Sequence, residues 1–263
     1  MFARNGQQPA VDEAGLVLRS LGGKTICEFS GETVAAMRRM LTSLMYQATM
    51  PKSIANVAAL RGEGVSYITM AMAATLASDV SARVCAVELN WWHPSLHLYL
   101  AGQPPAPATK GKGKGKAKGA PAEAAAPGPE EGLGAVLRGT TSLDQAIVGT
   151  SLPNLSVLPA GHVPAEARSA LARSAQLKTT VEALGERFDY LIFDVPAVSA
   201  TSDTVALTSL AESVEVVVRQ GVTPVNTVKA ALDEVKHVPV LGVILNQVQV
   251  YTPRWILNLL PQE

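Results

Sequence analysis

The sequence RGEGVSY at residues 61–67 decides the fold, because its two glycines separate a mostly apolar stretch from a long uncharged one. Residues 54–60 suit a buried strand, and residues 66–78 are rich in good helix formers. A strand, a glycine turn and a helix in this order bring backbone N–H groups and the positive end of a helix to one point, which favours an anion. A short Gly-x-Gly pattern is weak evidence by itself, and a glycine turn without a ligand is the alternative.

The residue after the second glycine departs from the usual phosphate loop. That loop carries Lys here, which reaches the β- and γ-phosphates, and then a Ser or Thr that ligates Mg²⁺. Gly62 and Gly64 keep the shape of the loop, and Ser66 keeps the metal hydroxyl. Val65, in contrast, carries no charge, and Tyr67 is a bulky neighbour. A charge pair at about 4 Å is worth roughly 4 kcal/mol at an intermediate dielectric, so the missing Lys predicts phosphate binding weaker by about a thousandfold.

Short apolar runs alternate with helical segments along the rest of the chain. The runs LIFDV, VEVVV and VLGVIL, at residues 191–195, 214–218 and 240–245, are typical of strands that are covered on both faces. We therefore predict an α/β fold, a three-layer, doubly wound, mostly parallel sheet, with any ligand at the carboxyl edge of its strands. With 263 residues, 48% of them hydrophobic and 17% charged, the chain is long enough to bury one such core.

Four longer segments identify a family. They are RVCAVE at residues 83–88, PNLSVLPAG at 153–161, FDYLIFDVPAV at 188–198 and VVRQGVT at 217–223. The order and the sequences of these segments resemble those of the bacterial tyrosine kinases of capsule and exopolysaccharide export, which are relatives of the deviant-Walker ATPases. The resemblance covers roughly residues 33–248. It implies a P-loop NTPase-like fold of the deviant-Walker type.

The resemblance also implies a nucleotide site at the glycine loop. Its cofactors would be ATP and Mg²⁺, although the missing Lys argues against tight binding. Ser66 and Asp194, which follows the apolar residues 190–193, would hold Mg²⁺ if a nucleotide binds. The candidate nucleotide-binding residues are Gly62, Glu63, Gly64, Val65, Ser66, Tyr67 and Asn246.

Two carboxylates, Glu88 and Asp194, are the candidates for a catalytic role, and neither is assigned a definite one. The family's second acidic motif contains two Asp residues and an Arg, where this chain has Glu88, Asn90 and Trp92. Phosphoryl transfer depends on positioning and on charge stabilisation by Lys, Arg and Mg²⁺. The changes at Val65 and Asn90 therefore predict a weak or inactive enzyme.

Two further departures concern phosphorylation and assembly. Relatives carry a tyrosine-rich C-terminal tail as phosphoacceptor, whereas the last 15 residues of this chain contain Tyr251 alone. The helix that relatives use for ring assembly corresponds to AAMRRMLTSL at residues 35–44, which keeps Arg38 but has Ala35 and Leu41 where relatives have Glu and Arg. Self-association is therefore an open question.

Three functional hypotheses follow. The first is a pseudokinase-like regulatory or scaffold component of polysaccharide export, which binds an inner-membrane polysaccharide co-polymerase or a genuine tyrosine kinase. The second is an ATP-binding kinase or ATPase of the same pathway, in which Glu88 replaces the lost Asp and Arg61, Lys110 or a neighbouring subunit supplies the lost positive charge. The third, a positioning ATPase of the partition type, is less favoured by the segments at residues 154–161 and 217–223. None of them involves nucleic acid.

The chain organisation predicts a flexible segment at residues 1–32 and one domain at residues 33–263. Residues 102–131 form an insertion of Ala, Pro, Gly and Lys that is too poor in large apolar residues to fold, and we predict that it is disordered. A solvated spacer is favoured over a tether for an anionic lipid or polymer. The longest uncharged stretch is too short to span a bilayer, so we expect a cytoplasmic protein that reaches the inner face of the membrane through a partner.

Three aromatic or histidine features stay open. Trp91 and Trp92 suit either a partner-binding hot spot or closure of an emptied nucleotide pocket. His93 and His97 are four residues apart, as in a metal pair, but ordinary histidines are favoured because no third ligand is visible. Near the end of the chain, one helical face would carry apolar side chains that favour docking on the body of the protein; they are Trp255, Ile256, Leu259 and Leu260.

Overall fold

The computed structural model describes residues 15–47, 50–103 and 131–248. The strands are β1 (Leu16–Arg19), β2 (Thr25–Phe29), β3 (Ser53–Ala58), β4 (Val84–Glu88), β5 (Val148–Gly149), β6 (Leu155–Leu158), β7 (Tyr190–Asp194), β8 (Ser213–Arg219) and β9 (Val240–Asn246). The helices are α1 (Gly31–Gln47), α2 (Val65–Asp79), α3 (Leu96–Leu100), α4 (Leu133–Leu137), α5 (Leu143–Ala146), α6 (Arg168–Ala172), α7 (Ala175–Arg187), α8 (Thr204–Thr208) and α9 (Val225–Val235).

A seven-stranded sheet in the order β5-β6-β4-β7-β3-β8-β9 organises the described chain. Every pairing in it is parallel except that of β5 with β6. Apolar clusters cover both of its faces at β7 and β8, as the strand composition predicted, but the run VLGVIL forms the edge strand β9 and is largely exposed, because no element covers its outer side in the described residues. The predicted α/β class with a doubly wound, mostly parallel sheet is thus confirmed. The carboxyl ends of β3, β4 and β7 lie side by side at its centre, where such sheets bind ligands.

The helix after the glycine loop lies inside the protein. All residues of α2 from Ile68 to Ala77 are buried, which explains why this segment contains no charged side chain. α1 packs over α2 and shields it from solvent. An ion pair joins the two helices, because the guanidinium of Arg38 donates to both carboxylate oxygens of Asp79, at 2.6 and 2.9 Å. Arg38, which corresponds to an assembly residue in relatives, thus contacts its own chain.

The structure corrects the predicted boundary at residue 32. Residues 16–29 form an antiparallel hairpin of β1 and β2, and its Leu18, Ile26 and Phe29 belong to the core. The Phe29 ring lies 5.4 Å from that of Tyr67 at the glycine loop, so the hairpin is part of the domain. The prediction missed it because each strand has only four or five residues.

Three predictions fall outside the described residues. They concern residues 1–14 of the N-terminal segment, residues 104–130 of the insertion with Lys110, and the end of the chain with Tyr251 and Trp255. Within the described ranges, no helix combines the length and the apolar character needed to cross a membrane.

Candidate functional site

The glycine loop between β3 and α2 forms the centre of the site. Gly62 and Gly64 have φ angles of 86° and 93°, in the left-handed region that favours glycine. A Cβ atom at Gly64 would also collide with Nδ2 of Asn246, so a side chain there would displace this amide from the carbonyl of Glu63. α2 begins at Val65, and the first amides of a helix have no acceptor within it. The loop and the helix end therefore present backbone N–H groups to an anion.

Glu63 points away from this cradle and fastens the loop from behind. Its carboxylate accepts hydrogen bonds from the backbone N–H of Leu60 at 2.8 Å, from that of Arg219 at 3.2 Å and from the hydroxyl of Thr223. Its own carbonyl accepts one from Nδ2 of Asn246 at 2.8 Å. The side chain is only 3% exposed. Glu63 thus contributes to the site through its backbone and through the rigidity of the loop.

Sequence reasoning missed the partners of Glu63. The turn that contains Arg219 and Thr223 was recognised only as a family segment, and an acid between two glycines was the available signal that the loop is clamped. Asn246, which was assigned to the nucleotide, also binds the loop itself, since its Nδ2 donates to the carbonyl of Glu63. Its Oδ1 accepts from the backbone N–H of Gln247 at 2.8 Å.

Glu88 and Asp194 lie in register on the adjacent strands β4 and β7, and both are fully buried. The carboxylate of Glu88 accepts from the backbone N–H of Ser95, from that of Leu96 at 2.8 Å and from that of Ala160 at 2.9 Å. These three bonds hold the loops after β4 and β6. Such a carboxylate is engaged in structure and is poorly placed to accept a proton from a substrate.

Asp194 differs, because neither of its carboxylate oxygens has a partner with hydrogen-bond geometry. Burial, and then the charge of Glu88, raises the pKa of Asp194 well above its usual value, and the nearby Ser66 hydroxyl acts in the opposite direction. Burial likewise raises the pKa of Glu88, against the effect of its three amide donors. Two adjacent buried acids disfavour a second negative charge unless a cation joins them. Asp194 and Ser66 are thus the described residues that would hold Mg²⁺, with Ser66 at the cavity wall and Asp194 fully buried.

A cavity of about 1210 Å³ opens over the glycine loop. Its size is sufficient for a nucleotide, and Gly62, Gly64, Ser66 and Asn246 are among the residues that line it. Among its described lining residues, Arg61 is the one Lys or Arg side chain. The side chain of Val65 packs against the apolar cluster around α2 and brings no charge. The cavity thus has the shape of a nucleotide site with a weakened positive lining.

The loop after β4 brings Asn90 and His93 to the cavity. Asn90 lines the cavity, but its Oδ1 accepts from the backbone N–H of His93 at 3.1 Å and closes a turn. Burial, and then the charges of Arg61 and Arg168, lowers the pKa of His93. Burial also lowers the pKa of His97. Over the described ranges, no group of three or more His, Cys, Asp or Glu side chains is arranged to hold a metal ion.

The two adjacent tryptophans do not close the pocket. Trp91 is 1% exposed in the core beneath the sheet, with its ring centroid 6.1 Å from that of the half-buried Trp92. Both pack against the apolar cluster on the face opposite α2, and neither lines the cavity. Of the two interpretations, closure of an emptied pocket is therefore not supported.

The sheet order and the glycine loop before a buried helix define a P-loop NTPase-like protein. No family model matches the sequence. The chain is 32% identical over 123 residues to the tyrosine-protein kinase CpsD of Streptococcus agalactiae. The matched region is 46% of this chain and 53% of that protein. It is 32% identical over 126 residues to the succinoglycan biosynthesis transport protein ExoP of Rhizobium meliloti, 46% of this chain and 16% of that protein. The matched region thus spans about half or less of these relatives.

Solved structures agree on the fold. The kinase domain of the Escherichia coli tyrosine kinase ETK superposes with a TM-score of 0.65 at 18% identity, over 86% of this chain and 80% of that one. The septum site-determining protein MinD of Pyrococcus horikoshii, complexed with Mg-ADP, superposes with a TM-score of 0.52 at 20% identity. This superposition covers 74% of this chain and 69% of that one. The resemblance seen in the motifs is confirmed: the chain is similar in sequence to proteins named tyrosine kinases, and it shares the fold of the ETK kinase domain and of MinD.

Proposed function

We propose that this chain is a pseudokinase-like regulatory or scaffold component of exopolysaccharide or capsule biosynthesis and export. It acts by binding an inner-membrane polysaccharide co-polymerase or a genuine tyrosine kinase, and it reaches the cytoplasmic face of the membrane through that partner. The relatives named as a tyrosine kinase and as a succinoglycan transport protein support the pathway.

One observation carries the pseudokinase part of the proposal: the cradle is intact but its charges are missing or engaged. Val65 stands at the start of α2, where relatives have the Lys that stabilises the transferred phosphoryl group. The carboxylate of Glu88 is engaged by backbone amides, and Asn90 closes a turn. A site with this composition can hold an anion through its backbone amides better than it can stabilise a transition state.

The alternative is an ATP-binding kinase or ATPase with a non-standard loop. The open cavity and the unpartnered oxygens of Asp194 favour it. Bound Mg²⁺ would supply positive charge against the phosphates. Ser66 and Asp194 would hold that ion, the loop amides would orient the phosphates, and Arg61 at the rim would contribute the one charged side chain of Lys or Arg type among the described lining residues.

Calorimetric titration of the full chain with ATP and ADP, each with and without Mg²⁺, distinguishes the pseudokinase from the ATP-binding enzyme. We expect no heat, or only millimolar affinity, for the pseudokinase. Micromolar, Mg²⁺-dependent binding followed by phosphate transfer in a radiolabel assay would establish the alternative. Asp194→Asn is the matched variant, because it removes the metal ligand while keeping the shape of the side chain.

A further inference from the structure

The edge strand β9 carries an exposed apolar face. Val240, Val243 and Leu245, here called the outer β9 face, are 39%, 43% and 55% exposed. Their register partners on β8 are Val214, Val216 and Val218, which are buried in the cluster to which α9 contributes. The apolar face of the sheet therefore continues one strand beyond the part that is covered. Val222 and Val225, near the start of α9, are also exposed, at 43% and 69%.

The sequence of β9 gives this edge little protection. Edge strands usually carry charges, prolines or bulges that prevent association with another chain. Residues 240–248 (VLGVILNQV) contain no charged residue and no proline, and the single register irregularity lies at the beginning of the strand. An uncharged, exposed apolar edge of this kind is expected to be covered in the native protein.

The chain itself supplies a cover of matching chemistry. Residues 249–263 follow β9, and they contain the apolar side chains of Trp255, Ile256, Leu259 and Leu260. Between Pro253 and Pro261, the spacing of these side chains is that of one face of a helix. Residues 249–252 suffice for a reversal, since an extended chain spans about 3.3 Å per residue.

We propose that residues 249–263 fold back and pack this apolar face on the outer β9 face of the same chain. Attachment at the end of β9 favours this occupant over a separate partner, because a short linker gives an effective concentration of about millimolar. Val240 and Val243 lie outside the cavity over the glycine loop, whereas Leu245 also lines it. The interaction also holds Tyr251 against its own chain and away from the catalytic site of another molecule.

The position of Trp255 tests the proposal in the full chain. Acrylamide quenching of the wild type and of Trp255→Phe isolates the emission of this residue from that of Trp91 and Trp92. We expect Trp255 to be shielded at every protein concentration, and Val243→Asp to raise its quenching constant severalfold. Val17→Asp is the matched control, since Val17 is a strand valine of 44% exposure in the hairpin that bridges to Thr150 beside β5, at the opposite edge of the sheet.

Three outcomes would overturn the proposal. They are free quenching of Trp255 in the wild type, shielding that appears only with a doubling of mass in light scattering, and equal effects of the two Asp variants. If Val243→Asp does not fold, the double substitution Leu259→Asp, Leu260→Asp replaces it, with hydrogen exchange of the β9 amides as the readout. Faster exchange in β9 than in the wild type is then expected, and unchanged exchange contradicts docking on this face.

Discussion

Val65 is the single residue that most changes the chemistry of the site. It occupies the start of α2 beside Ser66, with the loop in the conformation that a phosphate requires. Its side chain packs on the apolar cluster around α2, so the substitution also adds to the core. Val65 leaves this position uncharged, while Gly62 and Gly64 keep the left-handed conformation of the loop.

We predict that Val65→Lys raises the affinity for Mg-ATP by up to about a thousandfold, because one charge pair is restored at a site that is otherwise formed. Calorimetry of the variant measures the change directly. Val65→Met is the uncharged control of comparable length, and it should bind like the wild type. Equal affinities of the Lys and Met variants would mean that more than the charge has been remodelled.

Glu63 shows a different use of a residue in the same loop. We expect Glu63→Gln to lower the free energy of unfolding by about 1–3 kcal/mol, because the amide group places a donor against N–H and O–H donors and leaves buried groups unsatisfied. Urea denaturation measures the loss. Glu182→Gln, at an exposed position of α7, should change little, and a loss of similar size there would contradict the role of the clamp.

The strands around the site carry more buried polar groups than the packing of a sheet requires. Asn56 of β3 and Glu215 of β8 lie in register, are 0% and 2% exposed, and each has one oxygen without a hydrogen-bond partner. Nδ2 of Asn56 donates to the hydroxyl of Thr69 on α2 at 3.2 Å. Burial raises the pKa of Glu215 from 4.5 to about 7.

This elevated pKa gives β8 a pH-dependent stability. The unfolded chain releases the proton of Glu215 first, so the folded state loses stability as the pH rises from about 4.5 to 7. We predict that the free energy of unfolding of Glu215→Gln equals that of the wild type near pH 4 and is larger by about 3 kcal/mol near pH 8. Urea denaturation across this range, with Glu182→Gln as the exposed control, measures the difference. Parallel profiles of the Glu215→Gln variant and the wild type would show that the carboxyl group titrates normally.

The whole molecule combines the architecture of a nucleotide-binding fold with a glycine loop that is fastened by the chain's own side chains. Apolar clusters cover both faces of the sheet from β4 to β8, and Glu63 and Asn246 fasten the glycine loop. A scaffold requires this property, since it must keep its shape whether or not its cavity is filled. An enzyme of this fold, in contrast, depends on the metal site.

A genetic test distinguishes these two roles at the scale of the whole protein. We predict that Asp194→Asn, expressed in place of the wild type, supports undiminished polysaccharide production, because a scaffold does not use the metal ligand. Production would be measured as secreted polymer per cell. A loss of polymer while the amount of protein stays normal would favour the enzymatic alternative. Deletion of the whole chain serves as the reference for complete loss.

The sequence by itself determined the α/β class, the position of the glycine loop and the absence of its charge. Each of these depends on local patterns: residues 61–67 specify a turn between a strand and a helix, and uniformly apolar runs specify strands covered on both faces. The order of the motifs was sufficient to recognise the relatives. The short strands of the hairpin at residues 16–29 carried too weak a pattern to be detected.

Only the tertiary structure decided what the site residues do. Glu63 binds Thr223, which is 160 residues away, and Glu88 binds the amide of Ala160, which is 72 residues away. The burial of Trp91 and the unpartnered oxygens of Asp194 likewise depend on elements that meet only in the folded sheet. The physical reason is that a carboxylate is used for structure or left for a ligand according to the donors within about 3 Å of it, and distant parts of the chain supply those donors.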